Sequence, residues 1–407
     1  MTRAQVMGGS LAVLLGGGAI VALSIGIRQT FGLFLPPMTE DLGWGRETFA
    51  AAIAVQNLVW GATQPIFGAA ADRWGSRRVV IASAALYAVG LYLMATTSGS
   101  GQLFLSTGLL IGLALSGTSF AVVLGAVSRA FPPQSRSMAL GLVSAGGSFG
   151  QFAMVPLGQA FIAGYGWSTA LMLIAVLALA MALLAGSLGG RPDAAPAAGE
   201  VEPAASIGAA LREAGGHRGY RLLVAGFFVC GFHITFIGTH LPAYFADRGL
   251  QPTQAATALA LIGLFNIVGS ALCGYCGGHF AKKNVLSLLY LARAGVILAM
   301  LLVPLTPLAA YAFAAAMGLL WLGTVPLTNA LVAQVFGPRY VGTLFGVVFF
   351  SHQIGAALGV WLGGLVFDAT GSYDIVWWLA IALGLLAAAL HMPIDERPLV
   401  RVARSAE

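Results

Sequence analysis

Gly32-Leu33-Phe34-Leu35-Pro36-Pro37-Met38-Thr39-Glu40-Asp41-Leu42-Gly43 returns later in the chain as Gly238-Thr239-His240-Leu241-Pro242-Ala243-Tyr244-Phe245-Ala246-Asp247-Arg248-Gly249. The glycines, the Leu-Pro pair and the Asp keep their spacing, each displaced by 206 residues. The same shift carries Gly68 to Gly274, Gly112 to Gly318, Gly117 to Gly323, Thr118 to Thr324 and Pro132 to Pro338. After one deletion it becomes 205, and takes Gly141 to Gly346, Gly150 to Gly355, Gly158 to Gly363 and Gly166 to Gly371. One such match means little in a chain with 55 glycines, but a nearly constant offset over this length marks a duplication.

What is duplicated is a set of membrane helices. The chain is 58% hydrophobic and 8% charged, whereas a soluble domain needs about a quarter charged residues. Apolar runs, most of them beyond the roughly 20 residues that cross a bilayer, predict helices over 8–37, 46–70, 79–97, 102–128, 137–162 and 167–188. The second half predicts 220–245, 253–278, 285–304, 307–335, 342–367 and 374–392. Turn signals fall between them at Pro36-Pro37, Gly75-Ser76, Ser98-Gly99-Ser100, Pro132-Pro133, Gly249 and Gly371-Ser372. The expected fold is an all-α membrane protein with twelve transmembrane helices in two pseudo-symmetric six-helix bundles. Six spans per half make the repeats parallel, related by an axis along the membrane normal. Residues 1–189 form the first bundle in this reading and 219–407 the second. The stretch 190–218 is an Ala/Pro-rich cytoplasmic linker, with a short amphipathic helix at 206–214.

Charge sets the orientation. Sixteen of the 20 Lys and Arg residues fall in alternate loops, at the termini or in the linker, and the opposite loops hold only Arg46 and Arg248. The positive-inside rule then makes both termini cytoplasmic. It also accounts for the net charge of +6, so nucleic acid is not an expected partner. The first apolar run is too long for a cleavable signal and lacks a small-residue cleavage site. Cys230, Cys273 and Cys276 all lie in predicted helices and read as buried thiols. Cys273 and Cys276 have the spacing of half a zinc site, but no second pair matches them, so no metal is expected.

The segment Gly68-Ala69-Ala70-Ala71-Asp72-Arg73-Trp74-Gly75-Ser76-Arg77-Arg78 resembles the signature that follows the second helix of major facilitator superfamily transporters. The resemblance implies the major facilitator fold and a conformational gate of Gly68, Asp72, Arg73, Gly75, Arg77 and Arg78. In this reading Gly68 permits close helix contact, while Asp72 pairs with Arg73 or Arg77 and clamps the inner side. The repeat, Gly274 to Lys283, has lost the acid. A narrower likeness starts at Gly26-Ile27-Arg28-Gln29-Thr30-Phe31-Gly32 and includes Ser351-His352-Gln353. It resembles bacterial relatives of the monocarboxylate transporters and oxalate/formate exchangers, which carry a cation at the place of Arg28. The eighth helix departs from those carriers. Where they often hold an arginine, this chain reads Phe265-Asn266-Ile267-Val268-Gly269-Ser270.

All 14 acidic residues can be placed in loops, at helix ends or in the linker, while Arg28, Arg293, His233, His240 and His352 fall within spans. Buried cations without buried acids favour an anionic cargo. Arg28 leads, because a guanidinium grips a carboxylate with two parallel hydrogen bonds and its repeat partner is the apolar Ile234. Arg293 reads as structural, with carbonyls or headgroups in reach. His233 and His240 stand seven residues apart on one helical face. His233 and His352 are further candidates, with His240 read as structural. Asn57, Ser148, Asn266, Asn329 and Gln353 are candidate donors that also suit helix–helix bonds.

Catalytic patterns and a phosphate-binding glycine-lysine loop are missing, so neither an enzyme nor direct ATP drive is expected, and no cofactor is implied. The expected function is a secondary carrier of a small organic anion, monocarboxylate-like, working by alternating access as a monomer in a bacterial-type inner membrane. Protons are a candidate co-substrate, and exchange is the other mode. One rival is an exporter of hydrophobic or zwitterionic compounds, suited by Phe31, Phe236 and Trp321. A non-transporting membrane sensor is the other, and the linker is too short for a signalling domain.

Overall fold

The computed structural model describes residues 3–189, 206–337 and 340–399. Most of the expected linker, 190–205, lies outside the described residues, but its expected helix is present as Ile207–Gly216, capped by Ser206. Among the described residues there are ten helices, or joined helices, apolar and long enough to span a membrane: Ser10–Leu42, Ser76–Ala95, Ser100–Ala130, Met138–Leu188, Arg218–Asp247, Pro252–His279, Lys282–Leu302, Pro307–Phe336, Val341–Thr370 and Asp374–His391. Two facts turn ten into twelve. The helix Pro133–Leu184 reverses at Gly166, where φ is 76° and ψ 167°, so it supplies the fifth and sixth spans. The second span, Arg46–Trp74, is long enough but more polar, and it buries Gln56 and Asn57.

The turns are those the glycines allow. Gly43, Gly75, Gly249 and Gly371 close their helices at positive φ, which a side chain disfavours. The turn expected at Pro36-Pro37 is not there. The first span interrupts its helix at Thr30, whose hydroxyl bonds the Ile27 carbonyl, and then runs on through both prolines to Leu42.

Each half builds its own apolar core. One cluster draws mainly on the first six spans, the other mainly on the last six, with Phe34, Tyr87 and Leu115 in the first and Phe236, Trp321 and Trp377 in the second. Glycines set the closest approaches inside each half. A Cβ on Gly150 would stand 2.0 Å from the Ala22 carbonyl, and one on Gly355 would stand 2.0 Å from the Phe228 carbonyl. Fifth packs on first and eleventh on seventh at backbone distance, which in lipid is how van der Waals attraction between helices is maximised.

The fourth and tenth spans are both broken, within a few residues of each other in the repeat register. The fourth changes from π-helix at Phe104–Leu110 to α-helix and then breaks at Ser119. The tenth stops at Leu319 and resumes at Thr324. Backbone groups freed by such breaks must be bonded by something other than lipid, and in the tenth span Arg293 and Asn266 bond those of Leu320, Trp321 and Leu322.

Candidate functional site

The halves meet along three pairs of spans, first with seventh, second with eleventh and fifth with eighth. The seam is closed at the end opposite the termini. There a Cβ on Gly32 would lie 2.4 Å from the Gly238 carbonyl, and one on Gly364 would lie 2.7 Å from the Glu47 Cα. Arg46 makes a bidentate pair with Asp247 at 2.6 and 2.7 Å. Its guanidinium lies 3.7 Å from the centre of the Phe367 ring and donates to the Tyr373 hydroxyl at 2.9 Å. The Asp368 carboxylate of the eleventh span accepts the first two amides of the second span, those of Arg46 and Glu47, at 2.9 and 2.8 Å. An anion there satisfies orphan donors and complements the helix dipole. The Trp361 indole donates to Glu47 at 3.0 Å. The second half thus caps a helix of the first.

At the terminal end the seam is open. Gly68 and Gly274, and Gly141 and Gly346, are two repeat pairs on the second, eighth, fifth and eleventh spans. Nothing lies within 4 Å of where a Cβ would stand on any of the four. The close contact expected at Gly68 is therefore absent.

Between these ends the polar residues gather. Arg28 of the first span is 8% exposed. One terminal nitrogen approaches Asn57 Oδ1 at 3.5 Å, its Nε has no acceptor, and none of the ion pairs among the described residues includes it. The Asn57 amide nitrogen is spent on the Ile53 carbonyl. One turn along the second span, Gly61 receives the stem of Gln353 from the eleventh, and both amide atoms of that buried glutamine are without partners. Asn266 of the eighth span donates to the Ser148 hydroxyl of the fifth at 2.7 Å. Arg28, Asn57, Gln353, Ser148 and Asn266 therefore share the mid-depth seam.

Three expected site residues lie elsewhere. His233 turns into its own half, where its Nε2 donates to the Ala380 carbonyl at 2.8 Å. Its seven-residue relation to His240 holds, but that face looks toward the twelfth span and not the seam. His352 stacks on Phe349 and borders Phe227, one ring away from the seam, with its Nδ1 unpartnered. Asn329 is exposed on the terminal-side segment of the tenth span.

Arg293 contrasts with Arg28. It is fully buried, and its guanidinium donates to the carbonyls of Leu320, at 2.9 and 2.6 Å, and Trp321, in the break of the tenth span. The signature acid also differs from expectation. Asp72 pairs with Arg129 at the end of the fourth span, at 3.1 Å, and Arg129 also donates to the Ser76 hydroxyl at 2.8 Å. Arg73 does not pair with Asp72; its guanidinium lies over the Trp74 ring.

Several seam residues went unread in the sequence. Gln29 donates to Gln151 at 3.0 Å, and Gln151 donates across the halves to the Leu259 carbonyl at 2.9 Å. Trp60 is the repeat partner of Asn266, a signal present in the 206-residue offset but masked by the change of chemistry. Arg46 and Asp368 have no such signal, because their repeat partners are Pro252 and Ala163. No metal-sized cluster of ligands occurs among the described residues.

Comparison with known proteins agrees with this architecture. The chain is 29% identical over 384 residues to monocarboxylate transporter 13 of Bos taurus, covering 92% of this chain and 87% of that one. It is 24% identical over 375 residues to the MFS-type transporter YcxA of Bacillus subtilis, covering 90% of each. Among solved structures, a bacterial homolog of the human lysosomal transporter Spinster, in an inward-facing and occupied conformation, superposes with a TM-score of 0.73 at 14% identity. The match covers 93% of this chain and 95% of that one. The model of the Major Facilitator Superfamily matches residues 14–360, and with its twelve spans in two six-helix bundles the chain is a transporter of that superfamily.

Proposed function

We propose that this transporter is a secondary carrier of a small organic anion of the monocarboxylate class, and that Arg28 holds the cargo's carboxylate. The observation that carries the reading is the uncompensated guanidinium at mid-depth. A buried charge with one long contact and a free Nε is costly unless something pairs with it. The carboxylate of a cargo is that partner, and the Gln353 amide, one turn along the seam from Asn57, has both its polar atoms unpaired. Relatives named monocarboxylate transporters support the same class.

In this reading residues 1–189 and 219–407 are the two units that rock about the seam, joined by the linker 190–218. The termini are cytoplasmic in a bacterial-type inner membrane, so the described conformation is open to the inside. The carrier works as a monomer. Its energy comes from a gradient or from exchange, and any coupled proton travels on the cargo's own acid group or on a histidine. Counterflow into proteoliposomes with a panel of labelled carboxylates tests the reading. Uptake of a monocarboxylate that Arg28→Ala abolishes is expected. Uptake of neutral or cationic compounds alone would refute it.

A further inference from the structure

The two halves close their terminal-side helix ends by different means. In the first half, Asp72, Arg129 and Ser76 tie together the ends of the second, third and fourth spans. The repeat partners of Asp72 and Arg129 are Gly278 and Val335, so the second half lacks both members of the pair. In their place lies the segment after the twelfth span. Ile394 is buried in the second half's core and anchors it. The Glu396 carboxylate accepts the amide of Lys283, the repeat partner of Arg77, in the first turn of the ninth span. The N-cap of that helix, Ala281, has no side-chain acceptor of its own. The carbonyl of Glu396 accepts from Gln334 at 3.0 Å, and Gln334 accepts from Lys282 at 2.8 Å. The Leu399 amide donates to the Val335 carbonyl at 2.9 Å, at the position that Arg129 holds in the first half.

We propose that Glu396 is a positioning residue for the transport cycle. It supplies, from the C-terminal segment, the acid lost at Gly278, and it holds the ends of the ninth and tenth spans together so that the second half moves as one body. The arrangement matters most for the tenth span, whose terminal-side segment is cut off from the rest by its break at 320–323. The carboxylate also sits where the helix dipole favours an anion. Room exists to put the lost acid back, since nothing lies within 4 Å of a Cβ on Gly278.

The test compares the full-length parent with Glu396→Ala, Glu396→Ala combined with Gly278→Asp, and Asp395→Ala. Among the described residues the hydrogen bonds of Asp395 go to Arg397, two residues on, and it serves as the control. Amide hydrogen exchange is read in detergent without cargo, and counterflow turnover is read separately. In Glu396→Ala, exchange at Lys283 and in 333–336 should rise by about tenfold, the effect of one lost charge-assisted bond on local opening. Turnover should fall at unchanged KM. The added aspartate should bring both back toward the parent, and Asp395→Ala should match the parent throughout. Parent-like exchange in Glu396→Ala overturns the proposal, and so does a double variant that recovers neither reading. Because exchange needs no cargo, a failure here is distinct from a failure of the anion reading.

Discussion

Trp60 and Asn266 stand at repeat-related positions and perform the same task with different chemistry. The Trp60 indole donates to Ser119 at the break in the fourth span, at 3.2 Å. The Asn266 carbonyl accepts the Leu322 amide at the break in the tenth, at 3.0 Å. Both also face the other half, Trp60 edge-on to Phe349 at 5.8 Å and Asn266 bonded to Ser148. Each broken helix is therefore tied, through one side chain, to the surface on which the halves meet. The neighbouring layer repeats the pattern. Ser24 bonds Thr118 at 2.7 Å, and their partners Cys230 and Thr324 approach at 3.2 Å.

Replacing Asn266 tests the tie. Asn266→Leu leaves the Leu322 amide without an acceptor, a buried donor that costs about 1–3 kcal/mol. The melting temperature should fall, and turnover should fall with it. Asn266→Asp keeps the acceptor and should retain most of the stability. Differential scanning fluorimetry beside counterflow separates the two effects, and a Leu variant as stable as the parent would show that the break holds itself.

Arg28 and Arg293 should fail in opposite ways. Arg28→Ala removes one side of a charge-assisted pair with the cargo, a loss of about 2–5 kcal/mol in affinity, while the fold persists. Arg28→Lys keeps the charge without the planar fork and should rescue only partly. Arg293→Ala strips the donors from the Leu320 and Trp321 carbonyls and should lower expression and stability first. The measurement is the cargo-induced thermal shift of each purified variant. A normal shift in Arg28→Ala beside a lost one in Arg293→Ala would move the site to the ninth span.

Asp368 holds the closed end by accepting two backbone amides of the other half. Asp368→Ala should open that end more often. In a background with the three cysteines replaced by serine, the thiol of Gln29→Cys should then react with a membrane-impermeant maleimide several-fold faster from the side opposite the termini. Unchanged labelling would show that the Arg46–Asp247 pair suffices alone.

Topology is checked by the same chemistry. Arg212→Cys and Asp374→Cys, made singly, should label from opposite sides of the membrane. Labelling of both from one side would overturn the topology.

The spans were legible because lipid leaves few alternatives. A run of about twenty apolar residues can satisfy its backbone only as a helix, and the constant offset fixed how many runs to expect. The expected ends at 46, 167, 253, 307 and 374 lie within one residue of helix starts at Arg46, at the reversal of Gly166, Pro252, Pro307 and Asp374. Side-chain direction was less legible. His233 and Asn266 both read as polar residues in cavity-forming helices, yet one points into its own bundle and the other into the seam. A helix apolar on nearly every face has no amphipathic stripe to tell them apart. Contacts between the halves were hidden for a further reason. Arg46 and Asp368 are 322 residues apart, outside the repeat, and no local pattern links them.

The four open glycines describe a surface that the protein is not using in this conformation. Gly68, Gly141, Gly274 and Gly346 stand bare at one mouth, while Gly32, Gly238 and Gly364 are in backbone contact at the other. If the two halves rock as proposed, the bare set is where backbones would touch once the near mouth shut. A methyl group added at any of the four meets nothing in this conformation, and in that reading it would obstruct the molecule only when it turned over.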